Sequence, residues 1–144
     1  MKILKIKTRN RRVGDIGERE AVKLLKRKKF KIIERNYVAV NHEIDIIAED
    51  KEQQIFVEVK CREINDDNLY SSRPADAVTP EKQRAIARAA SYYTGFNPSD
   101  KKKRFDVIEV YVKSEGSRIS VVKTNHIEGA FTKNDAYKVG TGRT

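Results

Sequence analysis

Two strand-like segments in direct succession constrain the fold of this chain more than any other feature. HEIDIIAED at 42–50 and QQIFVEVKCR at 53–62 are rich in Ile, Val and Phe, and a short polar linker separates them. Apolar, β-branched segments joined in this way predict a β-hairpin. A third strand-like segment, FKIIERNYVAV at 30–40, comes immediately before them. The pattern therefore predicts three consecutive strands at the centre of the protein.

A helix is predicted on the N-terminal side of these strands, at residues 13–29. Ala21 and Leu25 form an apolar stripe at helical spacing, and Glu18 lies one turn earlier on the same stripe. A glutamate on the apolar side of a helix must meet water in a cleft, a cation or a hydrogen-bond donor, because an unpaired buried carboxylate is costly. Glu18 is therefore a candidate functional residue.

After the strands, a polar stretch without periodicity at 63–78 predicts a loop. A second helix is predicted from Thr79 as N-cap, with Pro80 at the first helical position, to Gly95. Two further strands are predicted at 104–113 and 118–124. The order of helix, three strands, helix and two strands predicts an α/β or α+β sandwich around one mixed sheet.

The charge balance indicates a polyanionic partner. The 144 residues carry a net charge of +10, and residues 1–12 contain six basic residues and no acid. Nucleic acid is the first candidate, because neutralising phosphates releases counterions, although the solvated faces of a lysine-rich protein would give the same charge. The single cysteine, Cys61, excludes an internal disulfide and a cysteine-based zinc site.

The chain predicts a single domain at 13–131, with a basic arm at 1–12 before it and a flexible tail at 132–144 after it. Charges interrupt the apolar residues at the N-terminus, so this segment does not resemble a signal peptide. No later segment approaches the length of a membrane span. We therefore expect a cytoplasmic protein.

The charged residues of the predicted hairpin fall on one face. Side chains alternate along a strand, so Glu43 and Asp45 share a face of the first strand. Glu58 and Lys60 share a face of the second strand for the same reason. A two-residue turn at Lys51-Glu52 would place Asp45 opposite Glu58, whereas a turn one residue earlier would place Glu43 opposite Glu58. Both registers bring two carboxylates and an ammonium group together.

Two carboxylates at cross-strand distance repel each other by ~3 kcal/mol, for a separation of ~5 Å and an effective dielectric of about 20. Such a pair persists when a cation lies between the groups, when one group is protonated, or when the face is solvated. Hard oxygen ligands favour Mg²⁺ or Mn²⁺, and a bound ion beside Lys60 would supply the parts for phosphodiester hydrolysis. A solvated sheet face with alternating charge needs no catalysis, so the motif from Glu58 to Lys60 is weak by itself.

Several motifs in the correct order give the chain a resemblance to a known family. They are GDIGEREAVKLLKRKKFKIIERNY, EIDIIA, IFVEVKCR, ADAVTPEKQRAIARAASYY, KRFDVIEV and HIEGAF, and together they cover most of residues 14–131. They resemble the PD-(D/E)XK nuclease superfamily and, more closely, the bacterial YraN family of uncharacterised, endonuclease-like proteins. The resemblance implies a restriction-endonuclease-like core with a mixed sheet of about five strands.

The resemblance also implies roles for the residues of the two central strands. Asp45 and Glu58 would bind Mg²⁺ or Mn²⁺, with the backbone carbonyl of Val59 as a further ligand. Lys60 takes the position of the catalytic lysine. These roles are implied by matching positions in the motifs.

Other positions carry more than one interpretation. Glu18 would act on a second metal ion or an ordered water, and Gln83 would contact phosphate or steady the catalytic lysine, unless it faces water beside the helix cap. His42 stands where the family usually has glycine, and exposure at a strand edge is favoured over metal binding. Asp106 is interpreted as structural, with the first helix or Arg104 as its partner.

These observations predict a Mg²⁺- or Mn²⁺-dependent endonuclease that acts on nucleic acid, with DNA favoured over RNA. The alternative is a non-catalytic nucleic-acid-binding protein on the same fold. A further alternative is an interaction protein in which the 63–78 loop docks a partner. A homodimer is compatible with the sequence as well.

Overall fold

The computed structural model describes residues 2–65 and 73–134, with side chains from residue 11 onward. The elements in chain order are α1 (Lys2–Arg27), β1 (Lys31–Ala39), β2 (His42–Glu49), β3 (Gln53–Glu63), a 3-10 helix (Pro74–Ala77), α2 (Pro80–Phe96), β4 (Lys102–Glu115) and β5 (Arg118–Phe131). This is the predicted order of helix, three strands, helix and two strands. The α+β fold class with a five-stranded mixed sheet is therefore confirmed.

The five strands form one sheet in the order β1-β2-β3-β4-β5. Neighbouring strands are antiparallel except for β3 and β4, which are parallel. A parallel pair needs a long crossover connection, and α2 supplies it. α2 begins as predicted, because the Thr79 hydroxyl accepts a hydrogen bond from the Lys82 N–H at 3.3 Å and Pro80 occupies the first helical position.

The register between β2 and β3 decides which charged residues meet. Ile46 pairs with Val57 at the end of the ladder. This register corresponds to a two-residue turn at Lys51-Glu52, and its continuation places Asp45 opposite Glu58. The first of the two predicted registers is thus confirmed, and the alternative turn one residue earlier is wrong.

Asp50 explains why the chain adopts this register. Its Oδ1 accepts hydrogen bonds from the backbone N–H groups of Glu52 at 2.9 Å and Gln53 at 2.8 Å. The Asp50 N–H in turn donates to the Gln53 carbonyl at 2.9 Å, which closes the turn. An aspartate at the first position of a turn stabilises the turn in this way.

Two hydrophobic layers cover the two faces of the sheet. Ala21 and Leu25 of α1 are fully buried in a cluster with Ile108 of β4. Small side chains of α2 let that helix pack closely on the opposite face, against Phe56. These side chains are Ala87, Ala89 and Ala90. Full burial of each leucine or isoleucine stabilises the fold by ~1.5–3 kcal/mol. Neither helix in the described part of the chain is long and apolar enough to cross a membrane.

α1 begins earlier than predicted and ends at Arg27 rather than at residue 29, and α2 ends one residue later than predicted. α1 begins at Lys2 and not at residue 13, because the preceding basic segment is mostly Lys, Arg, Ile and Leu and contains no glycine or proline. α2 passes through Gly95 and ends at Phe96. The division of the chain into arm, domain and tail remains a prediction, and residues 135–144 of the tail lie outside the described residues.

β5 also runs beyond its predicted end at residue 124, to Phe131, through a β-bulge. The register shifts between Phe105 and Val107 of β4, near Gly129, which has a φ of +59°. Glycine adopts this left-handed conformation at low cost, so strand pairing resumes after the bulge. The Gly129 N–H turns to Asp106 Oδ1 at 2.9 Å.

Candidate metal centre

A close approach of α1 to β3 brings Glu18 to the sheet. A β-carbon at Gly17 would lie 2.7 Å from Cys61 Cβ, a distance that van der Waals contact does not allow. Only glycine lets the helix lie this near the strand. Glu18, the next residue, therefore lines a cavity of about 410 Å³ together with Asp45 and Val59.

Strand alternation is interrupted at Asp45. Ile44 packs in the cluster beside α2, whereas Ile46 packs in the cluster beside α1. On β1, between the partners of these two residues, Asn36 has a φ of +55°. The distortion turns Glu43 and Asp45 toward α1. The expectation that they share one flat face with the two charged residues of β3 is therefore wrong.

β2 and β3 diverge beyond the last ladder pair, and a side chain closes the gap. The Val59 N–H donates to Asp45 Oδ2 at 2.7 Å, in place of a main-chain carbonyl. This bond holds the Asp45 carboxylate between the two strands. Asp45 is thereby placed within reach of groups on both sides of the sheet.

The predicted pair of Asp45 and Glu58 is in contact. Burial and the nearby charge of Glu58 raise the pKa of Asp45 to about 7, and the hydrogen bond from the Val59 N–H opposes the shift only in part. A hydrogen bond between the two carboxyl groups raises the pKa of Asp45 further. The Asp45 carboxyl therefore titrates near neutral pH.

Lys60 binds the second carboxylate of this pair. Its Nζ lies 3.3 Å from Glu58 Oε2, and the two side chains are 24% and 10% exposed respectively. The register of β2 and β3, when continued, places Glu43 opposite Lys60. The ammonium group instead pairs with the carboxylate on its own strand, two residues away.

Three carboxylates meet on the α1 side of the site. One oxygen each from Glu18, Glu43 and Asp45 lies within 4.8 Å of the others. With its nitrogen directed at them, the Asn36 amide donates to Glu18 Oε1 at 2.9 Å and to Glu43 Oε1 at 3.0 Å. Burial and the charge of Asp45 raise the pKa of Glu18, although Arg35 lowers it.

Two candidate residues lie at the edge of this arrangement. His42 is half-buried rather than exposed, and its Nε2 is buried without a hydrogen-bond partner among the described residues. Burial lowers its pKa, and the charge of Asp45 offsets this only in part. Gln83 is half-buried and its Nε2 donates to the Val78 carbonyl at 3.1 Å, so its contact with phosphate or with Lys60 stays a prediction.

Asp106 has the structural role predicted for it, with Arg104 as its partner. Arg104 binds both carboxylate oxygens of Asp106 at 2.8 Å, and His126 Nε2 lies 2.8 Å from Asp106 Oδ2. Burial raises the pKa of Asp106, but the hydrogen bonds from His126, Arg104 and Gly129 outweigh it, so the pKa lies below its usual value. The contact with His126 was not predicted, because it depends on the bulge in β5.

Sequence reasoning missed Glu43 and Asn36 as members of the acidic cluster. The available signal for Glu43 was its position two residues before Asp45 in the EID motif. For Asn36, the signal was its residue type, because asparagine tolerates positive φ better than most residues. The predicted ligand set and the observed cluster share Asp45 and differ in their second carboxylate, Glu58 or Glu43.

The arrangement offers hard oxygen donors, of which Glu18 and Asp45 line an open cavity, and the Lys60 ammonium group lies beside Glu58. Like-charged carboxylates at this separation destabilise each other unless protons or a cation compensate them. Oxygen-only ligand sets suit Mg²⁺ and Mn²⁺. Chemically, the site is able to hold a divalent cation beside the Lys60 ammonium.

Comparison with known proteins identifies relatives along most of the chain. A family model described as Uncharacterised protein family UPF0102 matches residues 17–110. This span contains the acidic residues and Lys60 of the candidate metal centre.

Individual relatives match at similar levels. A UPF0102 protein of Caldanaerobacter subterraneus subsp. tengcongensis is 39% identical over 126 residues, which are 87% of this chain and 98% of the relative. One of Chlorobium phaeobacteroides is 41% identical over 121 residues, covering 83% and 93% of the two chains. One of Acetivibrio thermocellus is 40% identical over 127 residues, covering 87% and 95%. The protein therefore belongs to the uncharacterised protein family UPF0102, the YraN family.

Proposed function

We propose that this protein is a metal-dependent endonuclease that hydrolyses phosphodiester bonds in DNA, with Mg²⁺ or Mn²⁺ as its cofactor. The observation that carries the proposal is the contact between Asp45 and Glu58 beside the Lys60 ammonium. Two carboxylates and a lysine at the junction of two diverging strands match the chemistry of phosphodiester hydrolysis.

The residues present fit a divalent cation. Asp45 is buried among acidic groups that raise its pKa, so a cation there would relieve a repulsion that the protein otherwise carries. The Val59 N–H points toward Asp45, and the N–H and C=O of one residue in a strand face the same neighbour. The Val59 carbonyl is therefore directed to the side on which Asp45 lies, which supports its predicted role as a ligand.

Several residues of the chain would have separate roles in the hydrolysis. When bound, the divalent ion supplies an activated water and neutralises charge on the phosphate. Lys60 would place its ammonium group beside the phosphate oxygens and stabilise the charge that develops in the transition state. Glu18, which approaches from α1, would hold a second cation or orient a water molecule. Asn36 would keep Glu18 and Glu43 together.

The charge of the chain supports nucleic acid as the substrate. The net charge is +10, although the centre itself is acidic. Arg11 of α1 lines the same cavity as Asp45 and Glu18. A cation at the rim and carboxylates inside would attract a phosphate backbone and then present it to a bound metal ion.

The test is to measure cleavage of branched, single-stranded and duplex DNA in Mn²⁺ for the wild type and for Lys60→Ala. Removing one charged group that stabilises the transition state should lower the cleavage rate by about 100-fold or more. Lys113→Ala serves as the matched control, because Lys113 is an exposed lysine of β4, and it should cleave like the wild type. Equal cleavage rates for the wild type and Lys60→Ala would contradict the proposed mechanism of phosphodiester hydrolysis.

The alternative, a nucleic-acid-binding protein without catalysis, predicts a different result in calorimetry. Titration with Mn²⁺ should give heat of binding for the wild type and little for Asp45→Asn. A wild type that binds DNA but neither Mn²⁺ nor Mg²⁺ would favour the non-catalytic function.

A further inference from the structure

Glu109 is a fully buried carboxylate in the middle of β4. Its side chain is 0% exposed. Arg73 Nη2 donates to Oε1 at 3.0 Å, Asn125 Nδ2 donates to Oε1 at 3.0 Å, and the Ala75 N–H donates to Oε2 at 2.9 Å. Burial raises its pKa, but these three donors outweigh burial, so the pKa lies below its usual value.

A buried carboxylate of this kind does little for net stability. Glu109 is desolvated whereas Arg73 is 57% exposed, so the cost of burying the carboxylate offsets much of its attraction to the guanidinium group. The contribution of Glu109 is to hold neighbouring groups in place. It fixes Arg73 and Ala75 at the start of the 3-10 helix, which lies within the stretch 63–78 that was predicted as a loop.

Arg73 lies at the wall of a cavity of about 340 Å³, here called the basic pocket. It is lined by Lys60, Cys61, Arg62, Arg73, Pro74, Asp76 and Ala77. Three of these described residues are cationic and one is acidic. The acidic one, Asp76, accepts a hydrogen bond from the Arg73 N–H at 2.9 Å and so caps the 3-10 helix.

Arg73 keeps donors for a ligand although it is anchored. One amino group, Nη2, binds Glu109, yet the Arg73 side chain is still 57% exposed. A guanidinium group has five N–H donors in a rigid fork. Glu109 and the Tyr111 hydroxyl engage part of the fork, and the exposed remainder of the five N–H donors suits a phosphate group.

The basic pocket adjoins the candidate metal centre. Lys60 pairs with Glu109 in the parallel ladder of β3 and β4, so their side chains leave the same face from strands ~4.8 Å apart. Lys60 also contacts Glu58, and Cys61 lines both the basic pocket and the cavity beside α1. The basic pocket is thus connected through Lys60 and Cys61 to the candidate metal centre and to the cavity beside it.

We propose that the basic pocket binds the phosphodiester that neighbours the one being cut, through Arg73 and Arg62, and that Glu109 is a positioning residue for Arg73. The inference rests on the proposed function for the identity of the neighbouring phosphate. The charge of the pocket and the exposed fork of Arg73 support an anionic phosphate group as the ligand.

The test is binding of a fluorescently labelled DNA duplex, and of a single strand, measured by anisotropy in EDTA at several salt concentrations. The double variant R73Q/E109Q removes the pocket cation together with its buried counterion, so no charge is left unpaired. Arg62→Gln is the second variant, which leaves the pair of Arg73 and Glu109 intact. Arg88→Gln is the matched control, because Arg88 is exposed on α2 and does not line the pocket.

The double variant and Arg62→Gln should each weaken binding by about tenfold. The slope of log K against log salt should fall by about one unit for duplex DNA, since one phosphate contact is lost. Arg88→Gln should change neither quantity. A purely structural role would lower thermal stability but would not change the slope, so the slope separates the two roles.

Failure of the inference and failure of the proposed function are distinguishable. If both pocket variants fold and bind DNA with the affinity and salt slope of the wild type, the proposed role of the basic pocket is wrong, whether or not the protein cuts DNA. A wild type that binds neither the duplex nor the single strand would overturn it too. If the variants bind DNA more weakly while the wild type neither cleaves DNA nor binds Mn²⁺, the role of the basic pocket is supported. The proposed nuclease function is then contradicted.

Discussion

Gly17 and Cys61 are in direct contact, and a β-carbon at Gly17 would approach Cys61 Cβ to 2.7 Å. This contact sets the distance between α1 and β3, and with it the position of Glu18. Gly17 and Cys61 lie outside the acidic cluster. The effects of substituting them can therefore be separated from the effects of removing a candidate metal ligand.

Gly17→Ala should push α1 away from the sheet. Overpacking of this kind costs about 1–3 kcal/mol of unfolding free energy, and the displacement of Glu18 should weaken Mn²⁺ binding. Urea denaturation and calorimetric titration measure the two effects. Adding Cys61→Gly should restore part of both, because it removes the atom that the new methyl group meets.

Gly14→Ala is the matched control on the same helix. A β-carbon at Gly14 would meet nothing within 4 Å. This variant should therefore stabilise the protein by about 0.5–1 kcal/mol, as alanine does in a helix interior. Equal losses of stability for Gly14→Ala and Gly17→Ala would contradict the importance of the close contact.

Asp45→Asn should stabilise the metal-free protein at alkaline pH. The pKa of Asp45 is raised from 3.8 to about 7 by burial and by the charge of Glu58. A carboxyl with a raised pKa in the folded state contributes stability below its unfolded pKa and loses that contribution as the pH rises through about 7. We therefore compare the free energy of unfolding of Asp45→Asn with that of the wild type in EDTA. The difference in favour of the variant should be about 1–3 kcal/mol larger at pH 8 than at pH 4.

Urea titrations at the two pH values measure this difference. Asp100→Asn, in an exposed loop, is the control and should follow the wild type at both. Addition of Mn²⁺ at pH 8 should stabilise the wild type and leave Asp45→Asn unchanged. If the free energies of unfolding of the wild type and Asp45→Asn change by the same amount between pH 4 and pH 8, the pKa of Asp45 is not raised.

Glu58→Gln and Glu43→Gln should separate the two candidate ligand sets. Glu58 is 10% exposed at its side chain and contacts Asp45, whereas Glu43 is exposed to solvent. Solvent screens an exposed carboxylate, so Glu58→Gln should weaken Mn²⁺ binding by about 10- to 100-fold and Glu43→Gln by less than about tenfold. Calorimetric titration gives both values, and the reverse order would assign the ion to Glu18, Glu43 and Asp45.

Asp106→Asn should destabilise the protein without affecting the metal centre. The substitution leaves Arg104 without its buried counterion, at a cost of about 3 kcal/mol. The pKa of Asp106 is lowered in the folded state, so its contribution is present above its unfolded pKa and is lost as the pH falls through the folded value. The loss of stability in acid should therefore be shallower for the variant than for the wild type.

Denaturation curves between pH 2 and 7 test this expectation, with Mn²⁺ titration as the second readout. Glu115→Gln, at the exposed end of β4, should match the wild type in both measurements. Loss of Mn²⁺ binding in a folded Asp106→Asn protein would show that the two sites are coupled.

The fold was predictable from sequence because it depends on local patterns. Alternating Ile and Val residues marked β2 and β3, and the pair of Thr79 and Pro80 marked the start of α2. The register of the central hairpin was left with two alternatives, although Asp50 carried the deciding information. Its carboxylate binds two backbone N–H groups of the turn, and aspartate at a first turn position is a recognisable signal.

The parts of the site that escaped prediction depend on departures from regular geometry. Strict alternation placed Glu43 beside Lys60, whereas the positive φ of Asn36 and the distortion at Asp45 turn Glu43 toward Glu18. The anchoring of Arg73 by Glu109 joins residues 36 positions apart in the chain. No local pattern in the sequence reports a contact of that range.

α1 is a single helix from Lys2 to Arg27, and this continuity has a geometric consequence. Arg11 and Glu18 lie on one rod, about 10 Å apart along its axis at 1.5 Å per residue. Because the contact of Gly17 with Cys61 fixes the helix against β3, the Arg11 side chain and the Glu18 carboxylate line one cavity at a set spacing.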